Sequence, residues 1–365
     1  MVPINPEKQG GRTLNQDFLA ALEAIEKDKG VSKDTLFDAI EAALISAYKR
    51  NFSSSSNVKI YIDRTTGEIK AYKCLDIVEE VENPQHEISY NEARLINPAY
   101  EIGDVLEKEV TPKNFGRIAA QTAKQVVIQR IREAERELIY EEYIDRQDDI
   151  VTGVVQRFEQ KNAVVNLGKT EALLPPLEQI PGEHLRQGDR VKAYITEVKK
   201  TTKGPQIIVS RSHPGLLKRL FELEVPEIYD GIVEIKATSR EAGARSKIAV
   251  WAKDKNVDPV GACVGPRGAR VQTVVNELKG EKIDIVEWNE DPQVYVSHAL
   301  SPAKVVQVII NESEKFAEVV VPDFQLSLAI GKEGQNARLA AKLTGWKIDI
   351  VSESAYQEKV SQIND

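Results

Sequence analysis

The sequence predicts an α+β fold of several domains, and three features lead to this prediction. A helix–loop–helix–strand segment occurs twice near the end of the chain, and a repeated segment indicates a repeated structural unit. Five short apolar segments, punctuated by glycine and proline, lie before it. The first 147 residues combine helical periodicity with one alternating apolar segment. A length of 365 residues allows about two to four such domains.

The N-terminal part is predicted to be a helical/β domain. After a disordered tail over residues 1–13, apolar spacing predicts helices over 15–29 and 33–50, with Ser32 as the cap of the second. A polar loop over 53–57 leads to a hairpin or meander over 58–81. A long helix is predicted from Thr111 to about Arg146, and we expect its charged second half to be an exposed spacer.

The middle of the chain is predicted to form a β-barrel. Five strands are expected, over residues 149–157, 163–167, 171–174, 190–198 and 206–210. Five strands in about 65 residues match the size of an OB-fold, a common nucleic-acid binder. Phe158 and Tyr194 could stack on bases, and the alternative for both is a place in the barrel core.

The repeated segment contains a Gly-x-x-Gly loop in each copy. Gly265 and Gly268 align with Gly331 and Gly334, and the string KIDIV follows both loops. Glycines let a ligand approach the backbone, and the helix after the loop directs N–H groups at an anion. Most single Gly-x-x-Gly strings are ordinary turns. Two in the same context are typical of KH modules, whose loop clamps the nucleic-acid backbone.

The elements around each loop complete this module. Before the first loop we predict a helix over 216–223 and strands over 228–237 and 248–251. Before the second we predict a helix over 292–300 and strands over 305–310 and 318–321. Helix, two strands, two helices and a strand is the order of bacterial-type (type II) KH domains. Residues 352–365 are expected to be a frayed polar end.

The candidate RNA-binding residues lie in and after these loops and in one basic segment. Arg267, Lys332 and Arg338 would supply positive charge, whereas Glu333 would repel phosphate, so the second loop is expected to contact RNA less directly. The basic segment, residues 240–247, is expected to form a rim beside the first KH groove, and the alternative is a solvated connection between strands. The full set is Gly265, Pro266, Arg267, Gly268, Arg270, Gly331, Lys332, Gly334, Gln335, Asn336, Arg338, Arg240, Arg245, Lys247 and Phe158.

Composition limits the possible functions. The net charge of −8 argues against strong nonspecific binding to duplexes, but it permits single-strand binding through local basic patches. Residues 1–147 carry 20 basic and 26 acidic side chains, which favours a protein-binding role for that part. The two cysteines and four histidines have no disulfide or metal-ligand pattern. No signal or membrane-spanning segment is present, so we expect a cytoplasmic protein without metal or cofactor.

Several long strings resemble one family. LFELEVPEI, REAGARSKIAV, VDPVGACVGPRGARV, GEKIDIVEW and LAIGKEGQNARLAAKLTGWKIDI, in the order barrel–KH–KH, are similar to bacterial transcription elongation factors of the NusA family. The resemblance implies an N-terminal domain that binds RNA polymerase, an S1-type barrel, and KH domains that hold nascent single-stranded RNA. It implies a role in pausing, termination and antitermination, with other antitermination factors as further partners. We expect a monomer.

The expected domains are the N-terminal domain with its connecting helix (1–147), the barrel (148–212), the first KH domain (213–291), the second KH domain (292–354) and a tail (355–365). Only short linkers separate the barrel and the KH domains, and this predicts packed domains that form one continuous RNA surface.

The competing hypothesis is an RNA-processing enzyme or ribonuclease subunit, because exoribonucleases such as polynucleotide phosphorylase also carry KH and S1-type modules. There the KH domain precedes the barrel and follows large catalytic domains, whereas here the barrel comes first. A GTPase is also disfavoured, because a phosphate-binding loop ending at Gly168-Lys169-Thr170 would need glycine at the position of Ala163. No catalytic motif appears, so we expect a non-enzyme.

Overall fold

The computed structural model describes residues 16–52 and 57–364, which form two compact units divided after Leu138. The expected tail over 1–13 and most of the polar loop over 53–57 lie outside the described residues.

The first unit packs helices on a small four-stranded sheet. Its leading elements are α1 (Gln16–Lys29), α2 (Lys33–Phe52), β1 (Val58–Ile62) and β2 (Ile69–Val78). The Ser32 hydroxyl accepts a hydrogen bond from the Thr35 N–H at 3.2 Å, as the predicted cap requires. Residues 82–110, for which we predicted no element, add β3 (Glu87–Ser89), α3 (Tyr90–Ile96) and β4 (Val105–Glu109). Strand β2 pairs with β1 and β4 antiparallel and with β3 parallel.

The long helix α4 (Phe115–Ile144) belongs to both units. Its first turns bury Phe115 and Ala119 in the core of the first unit. The expectation that its charged end is an exposed spacer is wrong at the last turns. Tyr143 is only 3% exposed and packs in the barrel core, with Tyr140 partly buried beside it. The helix end therefore covers part of the barrel.

The second unit begins with the predicted five-stranded barrel, which is closed in the order β5-β6-β7-β9-β8. Strands β7 and β9 pair in parallel, and the other pairs are antiparallel. Alternating residues such as Val155, Val165 and Ile195 fill the interior. The strands are β5 (Ile150–Glu159), β6 (Asn162–Asn166), β7 (Glu171–Leu174), β8 (Arg190–Thr201) and β9 (Gly204–Ser210).

Two KH domains of the predicted order follow. The first contains α5 (Pro214–Glu224), α6 (Pro226–Tyr229), β10 (Val233–Glu241), β11 (Arg245–Ala252), α7 (Pro259–Val264), α8 (Ala269–Glu277) and β12 (Lys282–Glu287). The second contains α9 (Pro292–Ala299), β13 (Gln307–Asn311), β14 (Phe316–Val321), α10 (Leu326–Ile330), α11 (Gln335–Thr344) and β15 (Lys347–Ser352).

Both KH sheets have the same topology. The middle strand pairs antiparallel with the strand before it and parallel with the KIDIV strand. Two expectations are corrected. Ile228 lies in the short helix α6, because Pro226 starts a helical turn there, and the strand begins only at Val233. Residues after Ser352 form a helix, α12 (Glu353–Asn364), instead of a frayed end.

Candidate nucleic-acid interface

The first Gly-x-x-Gly loop joins α7 to α8 in a tight turn. Gly265 and Gly268 have φ angles of +72° and +78°, and Arg267 between them has φ +54°. Left-handed backbone is easy for glycine and costs about 1–2 kcal/mol for other residues, so the fold holds Arg267 against a local preference. Pro266 and Arg267 are exposed at the tip. The turn therefore presents a cation to solvent at the start of a helix.

Arg270 lies behind this tip. Its guanidinium donates to the Ala262 carbonyl at 2.6 Å and to the Glu227 carboxylate at 2.9 Å. A methyl group at Gly265 would lie 2.7 Å from the Arg270 Cγ. Arg270 thus ties the loop to α6 and α7, and it fixes the position of the tip.

The second loop joins α10 to α11 with the same backbone. Gly331, Glu333 and Gly334 have φ angles of +77°, +53° and +73°. A methyl group at Gly331 would lie 2.7 Å from the Asn336 backbone nitrogen, whereas the space at Gly334 is open. Lys332 and Glu333 are exposed at the tip. Both loops thus share one geometry but differ in charge.

Asn336 is not an RNA-facing side chain in this structure, and our assignment of it is corrected. It is 3% exposed, and its amide donates to the carbonyls of Ala329 at 2.9 Å and Leu300 at 3.0 Å. Burial with these partners makes Asn336 a support for the loop. Asn336 lies only two residues after Gly334, and this spacing does not reveal that its side chain points inward.

The expected basic rim over residues 240–247 is wrong for the same kind of reason. The segment is the β10–β11 hairpin, and its cations are paired. Arg240 and Glu281 form a bidentate ion pair at 2.9 Å with both side chains 0% exposed. Lys247 is also 0% exposed and donates to Asp284 at 2.9 Å, and Arg245 holds the same carboxylate. Arg240 and Lys247 are thus sealed inside the KH domain, and Arg245, whose side chain is 24% exposed, is held by Asp284, so the segment does not form a free basic rim.

The hairpin is also a junction between the domains of the second unit. Lys247 donates to the Ser301 carbonyl of the second KH domain at 2.7 Å. A methyl group at Gly243, where φ is +77°, would lie 2.7 Å from the Pro181 carbonyl oxygen of the barrel. At the hairpin's start, Glu241 contacts Gln335 and Arg338 of the second KH domain. Barrel and both KH domains therefore meet around one turn.

Arg211 forms a second link, between the barrel and the first KH domain. Its side chain is 1% exposed and makes a bidentate pair with Glu183 at 2.8 Å. It also donates to the Lys192 carbonyl at 2.5 Å and to the Glu277 carbonyl, in α8, at 3.0 Å. Sequence reasoning missed Arg211, Glu183 and Glu281. Their ion-pair partners lie 28 to 66 residues away along the chain, so no local pattern could have shown them.

The barrel keeps one of the two aromatic candidates at its surface. Phe158, near the end of β5, is 45% exposed. Tyr194 is 8% exposed, stacks on His213 at 4.7 Å between ring centroids and donates to Asp148 at 3.0 Å. Burial raises the pKa of Tyr194 to about 12. Tyr194 is thus a packing residue at the start of the first KH domain, and of these two aromatic side chains Phe158 is the exposed one.

Other chemistry is sparse in the described part of the chain. Within residues 16–52 and 57–364 no three or more His, Cys, Asp or Glu side chains are grouped to hold a metal ion. No helix in those same ranges has the length and apolarity needed to cross a membrane. Cys74 and Cys263 are buried thiols, and burial raises the pKa of Cys263 to about 12.

Comparison with family models matches the chain along most of its length. The NusA N-terminal domain model matches residues 17–137, and the S1 RNA binding domain model matches 144–210. The NusA-like first and second KH domain models match 211–288 and 292–358.

Curated relatives match nearly the whole chain. The transcription termination/antitermination protein NusA of Halalkalibacterium halodurans is 65% identical over 345 residues, which cover 94% of this chain and 90% of the relative. The Bacillus subtilis protein of that name is 64% identical over 345 residues, with 94% and 93% covered. Among solved structures, the N-terminal domain of NusA from B. subtilis is 58% identical, covers 33% of this chain and 97% of its own, and has a TM-score of 0.31.

Proposed function

The chain belongs to the NusA family of transcription termination/antitermination proteins, and we propose that it acts by holding nascent single-stranded RNA and RNA polymerase at the same time. It carries an S1 domain and two KH domains, which are RNA-binding domains. In this proposal the barrel and KH domains hold RNA, and the N-terminal domain binds the polymerase. The result is control of pausing, termination and antitermination in the bacterial cytoplasm.

One observation carries the RNA part of the proposal. Two loops with the same left-handed backbone lie in one compact unit, and each places a basic side chain, Arg267 or Lys332, at an exposed tip. Phosphate binding needs close backbone approach and positive charge, and each loop offers both. Gln335 and Arg338 extend the second site, and Phe158 would stack on a base.

We divide the chain as the sequence suggested: 1–147 for polymerase, 148–212 for the barrel, 213–291 and 292–354 for the KH domains, and 355–365 as an end that α12 now occupies. The contacts of Arg211, Gly243 and Lys247 between these domains favour one continuous RNA surface, because packed domains hold their sites in fixed register.

Replacing Pro266 and Arg267 with aspartate should weaken single-stranded RNA binding about tenfold or more, since it puts negative charge where a phosphate would bind. Aspartate tolerates the left-handed backbone of position 267, so the loop should keep its shape. Fluorescence anisotropy with RNAs of increasing length measures the effect. Wild-type affinity should rise beyond the roughly four nucleotides that one KH domain clamps.

A matched control is Ser313→Asp with Lys315→Asp. These exposed residues lie in the β13–β14 turn and give the same change in net charge. The turn lies away from the second Gly-x-x-Gly loop. The Lys315 carbonyl accepts a hydrogen bond from the N–H of Lys347, which comes after the end of α11, whereas that loop comes before the start of α11. Equal losses of affinity in both double variants would contradict the RNA site at the first loop. A wild-type affinity that no longer rises beyond four or five nucleotides would contradict the continuous RNA surface.

The polymerase part is tested with the N-terminal fragment 1–147. Its net charge of −6 and the exposed apolar side chains Leu95, Ile96 and Ile102 suit a protein partner. We expect this fragment to retain core RNA polymerase on beads, whereas 148–365 should retain much less. The reverse result would refute this division of labour.

We further propose that the chain is not an enzyme. The relatives are named as transcription termination/antitermination proteins and not as enzymes. Phosphate-dependent degradation of RNA by the pure protein would overturn this and would favour the alternative of an RNA-processing enzyme.

A further inference from the structure

A carboxylate of the first KH domain lies on the candidate RNA site of the second. Glu241 is the last residue of β10, and its two oxygens are shared between two side chains of α11. One oxygen accepts from the Arg338 Nε at 2.6 Å, and the other accepts from the Gln335 amide at 2.8 Å. Both donors lie in the first turn of α11, which follows the second Gly-x-x-Gly loop.

The same arginine also contacts the loop itself. Arg338 donates through a terminal nitrogen to the Glu333 carbonyl at 3.1 Å, so one guanidinium joins the loop tip to the hairpin of the neighbouring domain. The Arg338 side chain is 47% exposed and Glu241 is 23% exposed. A ligand can therefore reach this pair from solvent, unlike the sealed pair of Arg240 and Glu281.

Glu241 has the chemistry of a phosphate substitute at this position. An arginine fork and an amide bind carboxylate and phosphate oxygens in the same way. The hydrogen bond from Arg338 holds the pKa of Glu241 below its usual range, so its carboxyl group is negatively charged at neutral pH. An RNA phosphate that approached the loop would meet donors that are already occupied by an anion.

Among the described residues, no carboxylate of a neighbouring domain lies at the corresponding positions after the first loop, where Arg270 pairs with Glu227 of its own domain. The residues of the first copy that align with Gln335 and Arg338 are Ala269 and Gln272. The Gln272 amide donates to Asn276, one turn further along its own helix, at 2.9 Å. The contact with a carboxylate of a neighbouring domain thus distinguishes Gln335 and Arg338 of the second site from the aligned residues of the first.

We propose that Glu241 is part of the RNA site of the second KH domain, where its carboxylate holds the position of an RNA phosphate between Gln335 and Arg338 until RNA displaces it. This inference rests on the proposed RNA-binding function and adds a residue that governs it. RNA binding at the second loop then releases the hairpin of the first KH domain from α11, and the two sites become coupled through one side chain.

Glu241→Gln in the full chain tests this inference. The variant keeps the size of the side chain but removes the charge, so RNA should displace it more easily. Single-stranded RNA of about ten nucleotides, longer than one KH domain clamps, should bind about three- to tenfold more tightly in fluorescence anisotropy. A matched control is Glu234→Gln, which removes the same charge from the same strand, where Glu234 pairs with Lys236. It should change affinity less than twofold.

A double-mutant cycle locates the gain. In a Lys332→Asp background, which damages the second loop, Glu241→Gln should bring no gain. Unchanged or weaker binding by Glu241→Gln, with wild-type binding intact, would overturn the inference and leave the proposed function standing. An equal gain in Glu234→Gln, or a gain that persists with Lys332→Asp, would also overturn it. Absence of RNA binding by the wild-type chain would instead refute the proposed function and the inference with it.

Discussion

Arg211→Met should destabilise the second unit by about 3–5 kcal/mol, because it leaves the buried Glu183 carboxylate without its partner. Glu183 is 2% exposed in its side chain and receives both of its ion-pair hydrogen bonds from Arg211. The carbonyls of Lys192 and Glu277 lose a donor as well. Much of the attraction in a buried pair is offset by desolvation, so the cost arises mainly from the orphaned charge.

Urea unfolding followed by tryptophan fluorescence measures this loss. The three tryptophans are Trp251, Trp288 and Trp346, so the signal reports on the second unit only. Arg186→Met, at an exposed position near Glu183, is the control and should stay within about 0.5 kcal/mol of wild type. Adding Glu183→Leu to Arg211→Met should restore much of the stability. If Arg211→Met alone lowered the free energy of unfolding by less than about 1 kcal/mol, Arg211 would not be the partner that stabilises the buried Glu183 carboxylate.

Glu281→Gln should cost a similar 3–5 kcal/mol, since Arg240 would be left buried with its charge uncompensated. Glu281 accepts from Arg240 twice, from the Ser246 hydroxyl at 2.5 Å and from the Gly243 N–H at 2.9 Å. A glutamine amide has one acceptor oxygen, and its NH₂ group would face donors. The hairpin turn that joins the three domains would lose its internal anchor.

The same fluorescence measurement applies, and Glu287→Gln on the exposed part of β12 provides the control. We expect a clear shift of the midpoint for Glu281→Gln and almost none for Glu287→Gln. If both variants unfold at the wild-type midpoint, the buried pair does not anchor the hairpin.

The β10–β11 hairpin and Arg211 fix the positions of the barrel and the two KH domains relative to one another. Gly243 approaches the barrel, Lys247 reaches the second KH domain, and Arg211 joins the barrel to α8. The contact between Glu241 and Arg338 lies at the solvent-facing edge of this junction, so RNA can compete with Glu241 for Arg338.

The sequence by itself determined the elements and their order. Apolar periodicity predicted the long helix α4, the five barrel strands and both KH units, because burial of one face repeats every two or 3.6 residues. The glycines predicted the two loops, since Gly265, Gly268, Gly331 and Gly334 all adopt positive φ. It missed β3, α3 and β4, which are only three, seven and five residues long. Strand β3 is held by a parallel pairing with β2, a contact that leaves little local pattern.

The tertiary structure alone decided what each polar side chain does. The sequence predicted three polar side chains at the surface that the fold buries: Arg240 beside Glu281, Lys247 beside Asp284, and Asn336 beside the Ala329 carbonyl. Arg338 meets a carboxylate 97 residues earlier in the chain. A charged side chain has no preferred partner in the sequence. Its partner is whichever opposite charge the packed domains bring within a few ångströms, and only the assembled fold fixes that distance.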